Sequence, residues 1–156
     1  MVRARRGKRV VSRRLLDTLL CMLRAAEGTT LFRTFYADVD GKKTDIMRKG
    51  DLSCAFFVSF MLAGLALAKN VHGTVSGTIR DLEESGWKRV RKPRPGAVIV
   101  WGAREDERGE SHTHIGFYLG PGKAVSNDSK TGSPRIHPYG MGGRTITALY
   151  AHPDLA

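Results

Sequence analysis

Hydrophobic residues recur at helical spacing near the start of the chain. The leucines between Ser12 and Glu27 follow an i, i+4, i+8 pattern, which predicts an amphipathic helix. We expect Ser12 to cap its beginning and Gly28 to end it. Residues 29–50 follow no such period and are rich in Asp, Gly and Lys, so an irregular connection is predicted there.

The next hydrophobic segment, residues 52–68, contains no charged residue. Its 17 residues lie at the lower limit for a membrane-spanning helix, and the polar Ser59 interrupts it. It therefore predicts a buried helix rather than a membrane span, which begins at Asp51 or Ser53 and ends near Ala68.

A polar helix is predicted at 78–85, with Thr78 and Asp81 as a capping pair and Gly86 at its end. After Trp87 the pattern changes to that of short strands. These strands are predicted at 98–101, 114–119 and 123–127, with a charged loop at 102–111, a tight turn at 120–122, and a further strand pair at 135–137 and 145–150. Helices followed by an antiparallel sheet define an α+β fold class, with the helices packed on the sheet.

The composition is that of one folded domain. The chain has 156 residues, of which 41% are hydrophobic and 26% charged, which allows a hydrophobic core and excludes disordered and collagen-like classes. Two cysteines, Cys21 and Cys54, provide neither a disulfide framework nor a four-cysteine zinc site. Such cysteine usage is typical of a reducing environment or of one reactive thiol.

Positive charge is concentrated at the start of the chain. Lys and Arg number 26 against 15 acidic residues, and seven of the basic residues lie within residues 1–14, where no acid occurs. We therefore divide the chain into a basic N-terminal tail at 1–11 and a single domain at 12–156. The tail is suited to an anionic polymer such as nucleic acid, an anionic lipid surface or a wall polymer, or else is a solubilising arm.

A signal peptide is not expected, because Asp17 and Arg24 interrupt the hydrophobic run after the basic stretch and no small-residue cleavage site follows. The protein is expected to be cytoplasmic as synthesised, with delivery to a cell wall by another route left open. We expect a monomer.

Cys54 is the candidate nucleophile, because it lies in the first turn of the predicted buried helix. Backbone N–H groups and the helix dipole there favour an anion, so we expect the pKa of this thiol to be lowered. Cys21 lies among leucines in the middle of its helix and is interpreted as a core residue.

A thiol nucleophile requires a base, and His114 is the candidate. It begins the apolar strand at 114–119, at the edge of the core. His112 shares a face with it if the strand extends that far. The two histidines lack a third ligand at zinc-like spacing, so neither a metal nor a cofactor is predicted.

The base requires an orienting group, and the next strand provides three candidates. A two-residue turn after Gly120 places Asn127 diagonally on the face of His114, whereas a register shifted by one residue places Ser126 and Asp128 there. Asn127 is preferred, with the alternatives open.

Three sequence stretches together resemble a known family. They are Ser53-Cys54-Ala55-Phe56-Phe57-Val58, Arg94-Pro95-Gly96-Ala97-Val98-Ile99-Val100-Trp101 and His114-Ile115-Gly116-Phe117-Tyr118-Leu119-Gly120. Their order and spacing resemble those of the NlpC/P60 and CHAP superfamily of papain-like cysteine peptidases and amidases, over roughly residues 45–150. The aromatic pair after Cys54 and the Val-Trp strand end look more like CHAP.

The resemblance implies a papain-like fold whose nucleophile stands at the N-terminus of a buried helix. It implies hydrolysis of amide bonds in peptidoglycan stem peptides by a Cys-His-Asn-type triad. The catalytic candidates are then Cys54, His114 and Asn127, and the candidates for substrate contact are Tyr36, Ser53, His112 and Asp128. Two alternatives stay open: a non-catalytic papain-like protein that binds nucleic acid or another anionic polymer, and a cysteine acyl or amide transferase.

Overall fold

The computed structural model describes residues 8–156. Residues 8–14 form neither a helix nor a strand, and most of the predicted basic tail lies outside the described residues. None of the helices in the described part of the chain is long and apolar enough to cross a membrane.

Three helices pack on an antiparallel sheet, which confirms the predicted α+β class. The helices are α1 (Leu15–Ala25), α2 (Cys54–Ala63) and α3 (Val75–Glu84). A two-stranded hairpin of β1 (Tyr36–Val39) and β2 (Lys42–Asp45) precedes α2. The main sheet contains β3 (Lys88–Arg89), β4 (Val98–Glu105), β5 (Ser111–Gly120), β6 (Lys123–Asp128), β7 (Ser133–Pro138) and β8 (Ile146–Ala151). Its strand order is β3-β8-β4-β5-β6-β7, and short 3₁₀ turns occupy Met141–Gly143 and Pro153–Leu155.

The core lies on both faces of this sheet. One face, with Val98 and Phe117, packs against the helices, and the largest core cluster forms there. The opposite face carries a second cluster around Ile99 and Trp101. Residues alternate between these faces along each strand, so a one-residue change of register moves a side chain from one face to the other.

α2 is buried around most of its circumference, as its uninterrupted apolar sequence requires, and Phe60 is its exposed exception. The predicted end near Ala68 is wrong. The helix ends at Ala63 because the next residues form tighter i to i+3 hydrogen bonds and Ala66 takes a left-handed conformation with φ 58°.

The predicted beginning of α1 at Ser12 is also wrong. The helix begins at Leu15, and Arg14 occupies the cap position without a side-chain capping bond. Instead, Arg14 pairs with Asp17 of the first turn, and its carbonyl accepts from the Thr18 hydroxyl. Cys21, expected in the core, is exposed, because the buried stripe of α1 passes through Leu19 and Leu23.

α3 begins three residues before the predicted position. The hydroxyl of Thr74 caps it by accepting from the Gly77 amide at 3.1 Å, so the expected pair of Thr78 and Asp81 is not the cap. Asp81 is buried and accepts from the backbone amides of Lys69 and Asn70. The carboxylate therefore fixes the connection between α2 and α3.

Three predictions about strands and loops are corrected. The segment 29–50 contains the β1–β2 hairpin, whose turn residues Asp40 and Gly41 both have positive φ. Within the predicted loop 102–111, β4 continues to Glu105 after a bulge, and β5 resumes at Ser111. The strands β7 and β8 do not pair with each other, because β7 pairs with β6 and β8 lies between β3 and β4.

Candidate active site

A cleft of about 1240 Å³ opens where the N-terminus of α2 meets the sheet. β5 and β6 contribute His114 and Asp128, β7 contributes His137, and the segment before β8 contributes Arg144. Cys54 lines the same cleft. The structure thus brings together the two side chains that the sequence predicts as nucleophile and base.

The loop that leads into Cys54 is held by hydrogen bonds to one carboxylate. The carboxylate of Asp45 accepts from the backbone amides of Phe35, Met47 and Lys49 at 2.9–3.1 Å. Burial alone would raise the pKa of Asp45, but these bonds outweigh it and lower the pKa. Asp45 therefore ties together the backbone of the segment that leads to α2.

Gly50 lies in this loop with φ +94°, a conformation that favours glycine. A Cβ at this position would meet the Cα of Gly132 at 2.5 Å, so the loop and the β6–β7 turn approach each other at backbone distance. This close packing holds the N-terminus of α2 against the sheet.

Ser53 occupies the cap position of α2 but is fully buried, and its hydroxyl has no hydrogen-bond partner among the described residues. It neither caps the helix through its side chain nor lines the cleft. Its proposed role in substrate contact is therefore not supported by its position.

The thiol of Cys54 lies among backbone amides. Burial is the strongest influence and raises its pKa, while the N–H groups of Ile115 and Ala55 and the charge of Arg144 act in the opposite direction. The expected lowering of this pKa is wrong, because burial outweighs the helix N-terminus. The resting group is a neutral thiol.

His114 stacks at a tilt on the indole of Trp101, with ring centroids 5.5 Å apart. Its Nε2 atom is buried and has no hydrogen-bond partner within residues 8–156. Burial lowers the pKa of His114 to about 3, with further lowering by Arg144 and His137 and an opposing effect from Asp128. The resting base is a neutral imidazole.

The register between β5 and β6 decides which residue faces His114. Gly120 pairs with Lys123 across a two-residue turn, but a bulge at Leu119 shifts the remaining pairs, so that Gly116 faces Ser126. This register places Ser126 and Asp128 on the face of His114. The alternative register of the sequence analysis is therefore the one observed.

Asn127 consequently lies on the opposite face of β6, and the prediction that it orients His114 is wrong. Its Nδ2 donates to the carbonyl of Gly50 at 2.7 Å, and the residue is 2% exposed. Asn127 holds the loop before Cys54 rather than the imidazole.

Ser126 forms a partly buried pair with His137. The Ser126 Oγ and the His137 Nε2 are 2.7 Å apart, and the His137 Nδ1 lies 2.9 Å from the carbonyl of Pro138. Because a carbonyl only accepts, Nδ1 donates to it, which leaves Nε2 as the ring nitrogen that faces the Ser126 hydroxyl. Like His114, His137 contacts Trp101, at 5.7 Å between ring centroids.

Asp128 lines the cleft, and continuing the strand register places it opposite His114. Its carboxylate accepts from the Thr131 hydroxyl at 2.9 Å and from the Thr131 amide at 3.2 Å. The charge is thus fixed in place at the end of β6. It favours a protonated His114, since its effect on the pKa of that imidazole is upward.

The remaining candidates for substrate contact occupy different places. His112 lines the mouth of the cleft, near the carboxylates of Asp106 and Glu110 at 3.5 and 3.3 Å. Tyr36 is 60% exposed on β1 outside the cleft lining, where Lys43 lies over its ring. Tyr36 therefore contributes nothing to the cleft in this structure.

Asp106, Glu110 and His112 bring three metal-ligand atoms within 4.8 Å of one another. However, Arg108 pairs with Asp106 at 3.2 Å, and Arg48 pairs with Glu110 at 2.9 Å. The arginines already neutralise these carboxylates, so the cluster is a network of surface ion pairs.

Arg144, like His137, lines the cleft and was not indicated by the sequence pattern. It follows the turn at Met141–Gly143, and its guanidinium is held by backbone carbonyls of β4 and β5. Nothing in the local sequence distinguishes it from the other arginines, because its position depends on contacts made 32 and 42 residues away.

No family model matches the chain, and no curated protein matches it. Among solved structures, the chain is similar in fold to NlpC2 from Trichomonas vaginalis, with a TM-score of 0.55 and 12% sequence identity. The similarity covers 92% of this chain and 50% of that chain, so this protein spans about half the length of its structural neighbour. The α+β architecture is thus NlpC-like.

Proposed function

We propose that this protein is a cysteine hydrolase that cleaves amide bonds, with Cys54 as nucleophile and His114 as base. The supporting observation is that both side chains line one cleft, and that the backbone N–H of Ile115, the residue after His114, acts to lower the pKa of the Cys54 thiol. An unpartnered buried nitrogen costs about 1–3 kcal/mol. A proton acceptor kept free for reaction accounts for such a nitrogen at Nε2 of His114.

The reaction begins from the neutral pair. The Cys54 sulfur attacks the carbonyl carbon while its proton passes to His114, and the carbonyl π electrons move to the oxygen. The Cys54 backbone N–H at the beginning of α2 helps to hold this oxyanion. When the oxyanion collapses, the C–N bond breaks and His114 protonates the leaving amine.

Departure of the amine leaves the acyl group bound to the Cys54 sulfur as a thioester, which water then hydrolyses. His114 takes one proton from the water, the hydroxide oxygen bonds to the acyl carbon, and the C–S bond breaks. The sulfur regains its proton from His114, which restores the neutral pair and releases a carboxylic acid. No redox step or cofactor enters this sequence.

Two groups on the face of His114 support its imidazolium during the reaction. Asp128 provides a fixed negative charge opposite it, and Ser126 provides a hydroxyl backed by His137. Of these, Asp128 is the proposed third member, because a carboxylate stabilises a positive imidazolium more strongly than a neutral hydroxyl does.

Peptidoglycan stem peptides are the proposed substrate. The NlpC/P60- and CHAP-like motifs and the NlpC-like fold support this choice. The test is digestion of purified peptidoglycan, with new amino and carboxyl termini identified by mass spectrometry. New termini with the wild-type protein, and none with Cys54→Ala, are expected. Equal release by both proteins would contradict the proposal.

A further inference from the structure

The guanidinium of Arg144 is a partly buried positive charge that forms no ion pair with any carboxylate of residues 8–156. Its Nε donates to the carbonyl of Gly102 at 2.8 Å, and its Nη2 donates to the carbonyl of His112. Carbonyl oxygens satisfy these donors but leave the net charge uncompensated. Burial lowers the pKa of Arg144, which reflects the cost of that charge.

The surroundings of Arg144 favour an anion. Arg104 adds a second positive charge, and the first turn of α2 contains no acidic residue that would oppose an anion near Cys54. Five acidic residues also line the cleft: Asp51, Glu105, Asp106, Glu107 and Asp128. Three of them are already engaged, because Asp128 accepts from Thr131 and Arg108 pairs with both Asp51 and Asp106. The Nη1 atom of Arg144 donates to no atom of the described residues, so one edge of the guanidinium remains available.

We propose that Arg144 binds a carboxylate of the substrate beside the amide bond that Cys54 attacks. This inference rests on the proposed function, and it makes the enzyme selective for amides that carry a free carboxylate near the scissile bond. Arg144 is suited to this role because a guanidinium binds carboxylates through paired N–H donors, and because two backbone bonds already fix its position. The guanidinium of Arg144 also lies against β5, the strand that faces Cys54.

The test compares alkylation of Cys54 by iodoacetate, which carries a carboxylate, and by iodoacetamide, which is its neutral analogue. The ratio of the two rate constants cancels the fraction of thiolate, so it reports the charge preference of the site alone. We expect Arg144→Gln to lower the iodoacetate-to-iodoacetamide ratio at Cys54 about tenfold, which corresponds to about 1.4 kcal/mol. Cys21 provides an internal reference, because it is exposed on α1.

Two variants control for general charge and for folding. Arg135→Gln removes the same charge from β7, on another wall of the cleft, and should change the ratio less than twofold. Arg144→Lys keeps the charge and should retain most of the preference for iodoacetate. If Arg144→Gln does not fold, protection of wild-type Cys54 from iodoacetamide by acetate, but not by acetamide, provides the same test.

The outcomes separate the two proposals. An unchanged ratio in folded Arg144→Gln, or equal protection by acetate and acetamide, would overturn the carboxylate site while leaving the nucleophile intact. A parallel fall of both rate constants would also overturn it and would assign Arg144 to stabilisation of the thiolate. Cys54 that reacts with neither reagent would instead contradict the proposed function.

Discussion

The side-chain amide of Asn127 donates a 2.7 Å hydrogen bond to the carbonyl of Gly50, and this bond ties β6 to the loop that leads into Cys54. The bond is buried and spans 77 residues of sequence. It therefore couples the position of the nucleophile to the sheet that carries the base.

Substitution of Asn127 tests this coupling. Asn127→Ala leaves a buried carbonyl without its partner, which we expect to lower the free energy of unfolding by about 1–3 kcal/mol. Activity should fall because the N-terminus of α2 loses a support. Urea unfolding gives the first quantity and peptide hydrolysis the second. A variant with full stability and no activity would show that Asn127 acts in the chemistry instead.

Asp128→Asn tests the orienting group. The amide oxygen can still accept from Thr131, so the turn and the stability should be preserved, while the loss of negative charge lowers kcat at least tenfold. Ser126→Ala should have a smaller effect on kcat, because it removes a neutral hydroxyl. The opposite order of the two effects would make the Ser126–His137 pair the principal support of His114.

The half-buried imidazole of His114, whose Nε2 atom is enclosed, makes the protein sensitive to acid. The pKa of His114 falls from 6.5 to about 3 on folding, so between these values the unfolded chain binds a proton that the folded protein does not. Stability should therefore be lost as pH falls below about 6.5, by about 1.4 kcal/mol per pH unit from this group. Above pH 6.5, His114 makes no contribution to the pH dependence of stability.

His114→Gln is the matched comparison, because glutamine does not titrate. The difference in unfolding free energy between wild type and variant should change across pH 4 to 6.5 and stay constant from pH 7 to 8. A constant difference over the whole range would contradict the burial of a neutral His114.

The two cysteines are expected to behave oppositely. Cys21→Ala should leave both activity and stability within experimental error, because Cys21 is exposed. Cys54→Ala should abolish activity and keep the fold, because a small apolar side chain fits the first turn of a buried helix. Circular dichroism and hydrolysis assays measure these outcomes. An inactive, folded Cys21→Ala would mean that the nucleophile has been assigned to the wrong thiol.

The hydrophobic pattern was sufficient to predict the fold class, the buried helix after residue 52 and the existence of the strand that carries His114. Long apolar runs and period-two segments dictate these elements locally. The β1–β2 hairpin was missed although its turn, Asp40-Gly41, is a typical hairpin signal, because the flanking strands have only four residues each, are mostly exposed, and include the wholly polar β2.

The failures at the site have longer-range causes. The bulge at Leu119 lies within the pairing of β5 with β6 and shifts their register by one residue. This shift alone places Ser126 and Asp128, instead of Asn127, on the face of His114. Likewise, the raised pKa of Cys54 depends on burial by elements distant in sequence, while the local helix N-terminus suggested the opposite direction. The sequence could therefore nominate candidate residues for the site, but it could not predict the strand register or the surroundings of each side chain.

In the proposed reaction, Cys54 forms a covalent bond with the acyl group of an amide substrate. The most direct measurement is acid quenching of the wild-type protein during turnover of a peptidoglycan stem peptide, followed by intact-mass and peptide-map analysis. We expect an adduct of the acyl fragment on Cys54 that hydroxylamine releases, as for a thioester, and no adduct in Cys54→Ala. Turnover without any adduct in wild type and unchanged in Cys54→Ala, or an adduct on Cys21, would contradict the account.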